Sequence, residues 1–286
     1  MKKSVKIILA SMMAVVSIGA FAGCGKSENS ASSDAGSTST KSSSAAIAVS
    51  GSTSMGKLME NEAEAYEGAN SGVSIEIQQI GSSAGIKNVI SGVSEIGMAS
   101  RELKAEEKSE VKETTVAYDG IALAVSKENK ATDITIEQMK KIFTGEITNW
   151  KDLGGDDAPI VVVSREEGSG TRDAFQEIVG YTSDDMIKDA TVAEGNGAVK
   201  STVAGNKNAV GYISFEVLDD SVKALDVEGV TPLPENVQNK TYKLSRPFLL
   251  VYKDGKLSEQ GNKFMEYILS DEGQNIVEKS GGIKVK

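Results

Sequence analysis

Residues Ile160 to Phe175 read IVVVSREEGSGTRDAF and carry the groups that an oxyanion site needs. Ile160 to Val163 is a β-branched run that predicts a buried strand. Gly168-Ser169-Gly170-Thr171 follows, and a helical pattern begins near Thr171. The first turn of a helix has backbone N–H groups without intrahelical partners, and the macrodipole adds partial positive charge there. Glycine lets the backbone close on a ligand. Ser169 and Thr171 add hydroxyl donors, and Arg165 and Arg172 add fixed cationic forks. An ordinary strand-to-helix turn with a Ser or Thr N-cap uses the same residue types, so this stretch alone does not decide the matter.

The same grammar occurs twice more. Ala46 to Val49 predicts a strand, followed by Ser50-Gly51-Ser52-Thr53-Ser54 and a helical run from Met55. Val73 to Ile80 alternates as a strand and leads into Gly81-Ser82-Ser83-Ala84-Gly85, with a helix from Ile86. Three hydroxyl-rich helix starts could converge on one small tetrahedral anion. Two near-motifs in the first loop carry less. Gly51 to Leu58 follows a phosphate-binding P-loop except that Leu58 stands where the Mg²⁺-binding hydroxyl belongs. Ser54-Met55-Gly56-Lys57 fits the S-x-x-K pattern of serine enzymes, but the companion S-D-N and K-T-G segments are missing. The chain has no histidine, which removes the Ser-His-Asp triad and imidazole metal ligands. Hydroxyls around an anion with no adjacent base favour binding over turnover, and no cofactor is expected.

The elements that must position these loops alternate along 286 residues. Further helices are expected at Leu58–Tyr66, Ile136–Thr144, Ala198–Val203 and from Asn262 as the last helix. Further strands are expected at Gly97–Ala99, Thr115–Ser126, Val210–Phe215 and Phe248–Tyr252. Such alternation means an α/β fold with its ligand at the carboxyl ends of the strands. Residues 1–23 have the charged start, apolar stretch and small-residue end of a secretory signal. Phe21-Ala22-Gly23-Cys24 resembles a bacterial lipobox, which makes Cys24, the only cysteine, the expected lipidated N-terminus. Gly25 to Ser44 holds eleven Ser/Thr in twenty residues and cannot bury a core. It reads as a disordered tether. Removing residues 1–23 takes three lysines and no acids, which leaves 28 basic against 41 acidic residues and a net charge of −13. That balance argues against nucleic acid as a partner, and it requires local N–H, hydroxyl and arginine groups to hold any anion.

GSTSM, IGSSAGIK, GMASRELK, FTGEITNWKDLGG, REEGSGTRDAF, NAVGYIS and LSRPFLLVYK occur in that order. Together they closely resemble the phosphate-binding lipoproteins that feed Pst-type ABC importers, over essentially all of Ala46 to Lys286. The resemblance implies an α/β, two-lobed periplasmic-binding-protein fold of type II, each lobe a mixed sheet flanked by helices, with a hinge between them. Lobe one is expected at 46–118 plus 218–286 and lobe two at 119–217, after a tether at 24–45. It also implies capture of inorganic phosphate, delivery to ABC importer permease subunits, an extracytoplasmic lipid anchor, a monomer and no enzyme activity. The alternatives are another tetrahedral oxyanion (sulfate or molybdate) or a secreted serine hydrolase. By the same match, Ser54, the Met55 N–H, Ser82, Arg165, Ser169, the Gly170 N–H and Thr171 hold the anion, and Thr53 and Ser83 are adjacent hydroxyls. One position departs from the family: Arg101 stands where members carry an Asp that accepts phosphate's own proton. Arg101 is then expected to add charge to the site, with Asp119 as the first candidate acceptor and Glu102 the second.

Overall fold

The structure, a computed structural model, describes residues 45–285. The signal segment, Cys24 and most of the Ser-rich tether lie outside the described residues. The elements run in order β1 (Ala45–Gly51), α1 (Gly56–Ala69), β2 (Val73–Gln79), α2 (Ser82–Ser91), β3 (Ile96–Ala99), α3 (Ala105–Lys108) and β4 (Lys112–Val125). Then come β5 (Asp133–Ile134), α4 (Ile136–Phe143), β6 (Val161–Arg165), α5 (Gly170–Val179), β7 (Thr191–Ala193), α6 (Gly195–Ala204) and β8 (Ala209–Ser214). The chain ends with β9 (Lys223–Ala224), β10 (Asp226–Val227), α7 (Pro234–Gln238), β11 (Ser245–Tyr252), α8 (Glu259–Ile268) and α9 (Asp271–Lys279).

Two parallel triplets, β2-β1-β3 and β8-β6-β7, are joined through the antiparallel strands β11 and β4. The β-branched and small apolar runs explain this. β3, β8 and the second half of β4 are buried throughout, as strands covered by helices on both faces must be. Each triplet has its own core. Ile47, Val49, Met55, Leu58, Val116, Phe248 and Phe264 belong to one. Leu123, Phe143, Trp150, Phe175, Tyr212 and Tyr242 belong to the other.

β4 is the first bridge between the lobes: residues up to Gly120 pair with β11, and Ile121 to Val125 pair with β8. The return comes later than the sequence reading placed it. Val222, Leu225, Val227, Val237 and Leu244 pack in the second core, and β9 pairs with the second half of β4. Residues 218–244 therefore pack with lobe two rather than lobe one, because their apolar side chains fill its core. The crossing lies where the Ile121 N–H donates to the Leu244 carbonyl at 2.8 Å. The last helix also differs from expectation. Ser270 accepts from the Gly273 N–H and starts a separate α9, so the expected helix ends at Ile268.

α1 carries an unusual group. Glu62 is fully buried, and neither carboxylate oxygen has a hydrogen-bond partner. Burial, with the nearby charge of Glu272, pushes its carboxyl up to about 8. The folded protein thus keeps a proton there that the unfolded chain releases near its ordinary value. This stability is complete below that ordinary value and is lost as pH rises through about 8. Glu216 is also pushed up to about 8 by burial, although it accepts the Leu58 N–H at the start of α1. We expect Glu62→Met to raise stability most at pH 8, by a free energy on the order of a few kcal/mol, and least at pH 4, with the melting temperature following. It should also flatten the decline with pH, leaving the part due to Glu216. Melting curves from pH 4 to 9 check this, and an unchanged pH slope contradicts it.

Candidate functional site

The carboxyl ends of β1, β2, β3, β6, β7 and β8 face one cleft, and their loops carry the site. Gly51 ends β1 with φ of 143°, and a Cβ there would sit 2.8 Å from the Met98 nitrogen, so only glycine lets β1 and β3 approach this closely. Ser52 then caps a short 3₁₀ turn, Thr53 to Met55, by accepting from the Ser54 N–H. That turn points the Ser54 hydroxyl into the cleft. Ser169 caps α5 in the same way through the Arg172 N–H. α2 begins at Ser82 after Gly81, whose φ is 90°.

These loops meet. The Ser54 and Thr171 hydroxyls share a hydrogen bond at 2.8 Å. Asn196 Nδ2 and Arg246 Nη2 both donate to Ser54 Oγ, at 2.8 and 3.0 Å. Arg165 donates to Thr53 Oγ1 at 3.2 Å and to Thr171 Oγ1 at 3.4 Å. Ser82 and Ser100 hydroxyls lie 3.3 Å apart, and Ser52 Oγ donates to Ser100 Oγ at 2.8 Å. Gly170 brings α5 against this group: a Cβ there would overlap Ser82 Oγ and come within 2.7 Å of Ser100 Oγ. Ser52, Ser54, Ser82, Ser100, Arg165, Ser169, Thr171, Asn196 and Arg246 are all buried.

Both arginines are paired from behind. Glu166 takes Arg165 Nε and Nη2, each at 2.7 Å. Burial alone would lift the Glu166 carboxyl, but this fork holds it below its ordinary value. Asp119 takes Arg246 Nε at 3.1 Å and Nη2 at 2.8 Å. The two residues are register partners at the crossing between lobes. Asp119 also accepts from the Ser214 hydroxyl at 2.9 Å. Burial raises its carboxyl against the pull of Arg246. The cluster is therefore rich in donors but close to neutral in charge, which suits selective capture of an anion by an acidic protein.

Among the expected residues, the structure brings Thr53, Ser54, Ser82, Arg165, Ser169, Gly170 and Thr171 together. Met55 is adjacent, but its N–H donates to the Ser52 carbonyl at 3.3 Å and its side chain lies in the core. Arg101 is not in the cluster, which corrects the expectation that it charges the site. Its guanidinium turns away to Glu107 and Asp173, because those carboxylates are the nearest groups that compensate a buried cation. Asp119, the expected proton acceptor, already takes three hydrogen bonds from Arg246 and Ser214. Glu102 is exposed. Arg172 donates to the Arg165 carbonyl and to Ser183, away from the cluster. The sequence reading missed Ser52, Ser100, Asn196 and Arg246. Asn196 had a usable signal: Gly195-Asn196-Gly197 starts a helix after a strand, a fourth case of the same grammar.

A family model described as a PBP superfamily domain matches residues 33–272. The phosphate-binding protein PstS of Bacillus subtilis is 33% identical over the whole chain and 95% of its own length. This chain belongs to the PstS-type phosphate-binding proteins of the PBP superfamily. A phosphate ABC transporter substrate-binding protein from Clostridium perfringens, solved with bound phosphate, is 60% identical. It covers 84% of this chain and all of its own, with a TM-score of 0.83. An ABC-type phosphate transport receptor from Vibrio cholerae is 38% identical over 83% of this chain and 99% of its own, with a TM-score of 0.73. In this PstS-type chain, no helix among the described residues is long and apolar enough to cross a membrane.

The pairing of Asp119 with Arg246 makes a specific prediction. A proton acceptor for phosphate discriminates between phosphate and sulfate, whereas an anchor for Arg246 acts on both alike. Asp119→Asn should change the affinities for the two ions by the same factor, measured by calorimetric titration. A change of tenfold or more in their ratio, about 1.4 kcal/mol, would restore Asp119 as the acceptor.

Proposed function

We propose that this chain is an extracytoplasmic binding protein that captures inorganic phosphate between its two lobes and delivers it to the permease of an ABC importer. One observation carries the reading. Ser54 on one lobe hydrogen-bonds to Thr171 and Asn196 on the other, Thr53 accepts from Arg165 across the same gap, and Ser82 and Ser100 pack against Gly170. An anion bonded to both sets stabilises the closed arrangement over an open one, and that difference in affinity shifts the population further toward closure. The relatives named above as phosphate-binding support the same ligand. The site residues are then Thr53, Ser54, Ser82, Ser100, Arg165, Ser169, Gly170, Thr171, Asn196 and Arg246. Cys24 carries the lipid, residues 25–44 form the leash to the membrane surface, and the protein works as a monomer.

The protein is a binder and not an enzyme. Lys57, the only base that the S-x-x-K pattern offers, is exposed on α1, while Ser54 Oγ is bonded to Thr171, Asn196 and Arg246. No group in the cluster can take the Ser54 proton. Calorimetric titration with phosphate, sulfate and molybdate tests the ligand, and phosphoester and β-lactam turnover tests the class. Tight phosphate binding without turnover is expected. Hydrolysis, or preference for another oxyanion, contradicts the proposal.

A further inference from the structure

Arg101 lies outside the anion cluster, yet it and two of its partners, Ser83 and Asp173, neighbour members of that cluster. Arg101 follows Ser100, Ser83 follows Ser82, and Asp173 is one helical turn beyond Ser169. All five guanidinium N–H groups are engaged. Nη1 donates to the Glu102 carbonyl at 2.9 Å and to Glu107 at 2.7 Å. Nη2 donates to Ser83 Oγ at 3.2 Å and to Glu107 at 2.8 Å. These four bonds stay within lobe one. The fifth, from Nε to Asp173 at 3.0 Å, is the one that crosses to lobe two.

Glu107 is itself fixed, because it also accepts the Lys104 N–H at 2.8 Å. The bidentate fork therefore holds Arg101 in place whatever α5 does. Asp173 has no other side-chain partner among the described residues. Beside it the Ser83 N–H donates to the Gly168 carbonyl at 3.2 Å, a second bond across the same seam. Ser83, Glu107, Gly168 and Asp173 also line the wall of an outer cleft of about 890 Å³. The crossing ion pair is thus within reach of solvent ions.

We infer that Arg101, preset by Glu107, is a latch that holds the lobes shut through Asp173 and sets how long the bound anion stays. Arg101 and Asp173 are positioning residues that touch no ligand. This rests on the proposed capture of phosphate. An interaction formed only in the closed arrangement slows release without changing the encounter rate. One that solvent ions can reach weakens as salt rises.

The test uses protein from the full chain, loaded with radiolabelled phosphate and chased with unlabelled phosphate. Asp173→Asn should release phosphate about tenfold faster, with an association rate within about threefold of the unmodified protein, since changes at one contact act mostly on release. Raising KCl from low to high should speed release from the unmodified protein and leave the variant nearly unmoved. The melting temperature without phosphate separates a latch from mere support of α5 and should stay the same. Release at the unmodified rate, or an equal salt response in both proteins, overturns the latch. Small-angle scattering without phosphate decides the latch apart from the ligand reading. The latch requires a larger radius of gyration for Asp173→Asn, and equal radii overturn it. An unmodified protein that retains no phosphate would sink the ligand reading alone.

Discussion

Arg246→Met is expected to abolish phosphate binding and to weaken the fold at once. Arg246 is buried, and its guanidinium connects Asp119, Ser100 and Ser54 at 2.8 to 3.4 Å. Removing it leaves Asp119, itself fully buried, without its only cationic partner among the described residues. Breaking a buried pair from one side costs about 3–5 kcal/mol. The anion loses a charge-assisted donor and gains an uncompensated carboxylate behind Ser54. A loss of at least about 10³-fold in affinity follows from an effect of roughly 4 kcal/mol. The double variant Asp119→Leu with Arg246→Met separates the two effects, because two apolar groups of similar size can replace a buried pair at little cost. Chemical denaturation should show most of the stability restored, while titration still shows no binding. Binding retained by Arg246→Met would remove this residue from the site.

Gly170→Ala should have the next largest effect, by blocking closure rather than removing a donor. Its Cβ would occupy the space of Ser82 Oγ and crowd Ser100 Oγ at 2.7 Å. Neither serine has room to retreat, since both are fully buried. The helix itself tolerates alanine, which is better than glycine there by up to about 1 kcal/mol. The variant should therefore fold with an unchanged or higher melting temperature. The lobes cannot then offer Ser82 and Thr171 to the same anion. Losing two charge-assisted hydrogen bonds of about 1.5–3 kcal/mol each weakens phosphate by roughly 10²–10⁴-fold. Scattering with saturating phosphate should show a larger radius of gyration than the unmodified protein. Equal affinity would mean that α5 and α2 do not close on the ligand together.

The part of this site that was legible in the sequence is the part built from local pattern. A β-branched run, a glycine-hydroxyl loop and a helix start lie within about fifteen residues, so Ser54, Ser82, Arg165, Ser169 and Thr171 could be selected before any pairing was known. Arg246 could not. It reaches the cluster because β11 pairs with β4 across more than a hundred positions, in a register that sets it opposite Asp119. Ser100 is placed by the same long-range order, at the end of a four-residue strand. Arg101 shows the converse error. Its charge was visible, but Glu107 and Asp173, which neutralise it, come from a short helix and from the other lobe. The lobe boundary failed for a related reason. Residues 218–244 carry little periodic signal, and their side with lobe two is decided by apolar packing of Val222, Leu225 and Val237.

The central claim is that one tetrahedral anion is held by groups from both lobes at this cluster. A crystal structure of the protein grown with phosphate tests it most directly. The account predicts the anion within hydrogen-bond distance of Ser54, Ser82, Arg165, Thr171 and Arg246, with Asp119 still paired to Arg246 and Arg101 still paired to Asp173. An anion bound instead in the outer cleft beside Lys87 and Lys104, or contacting one lobe alone, would contradict it.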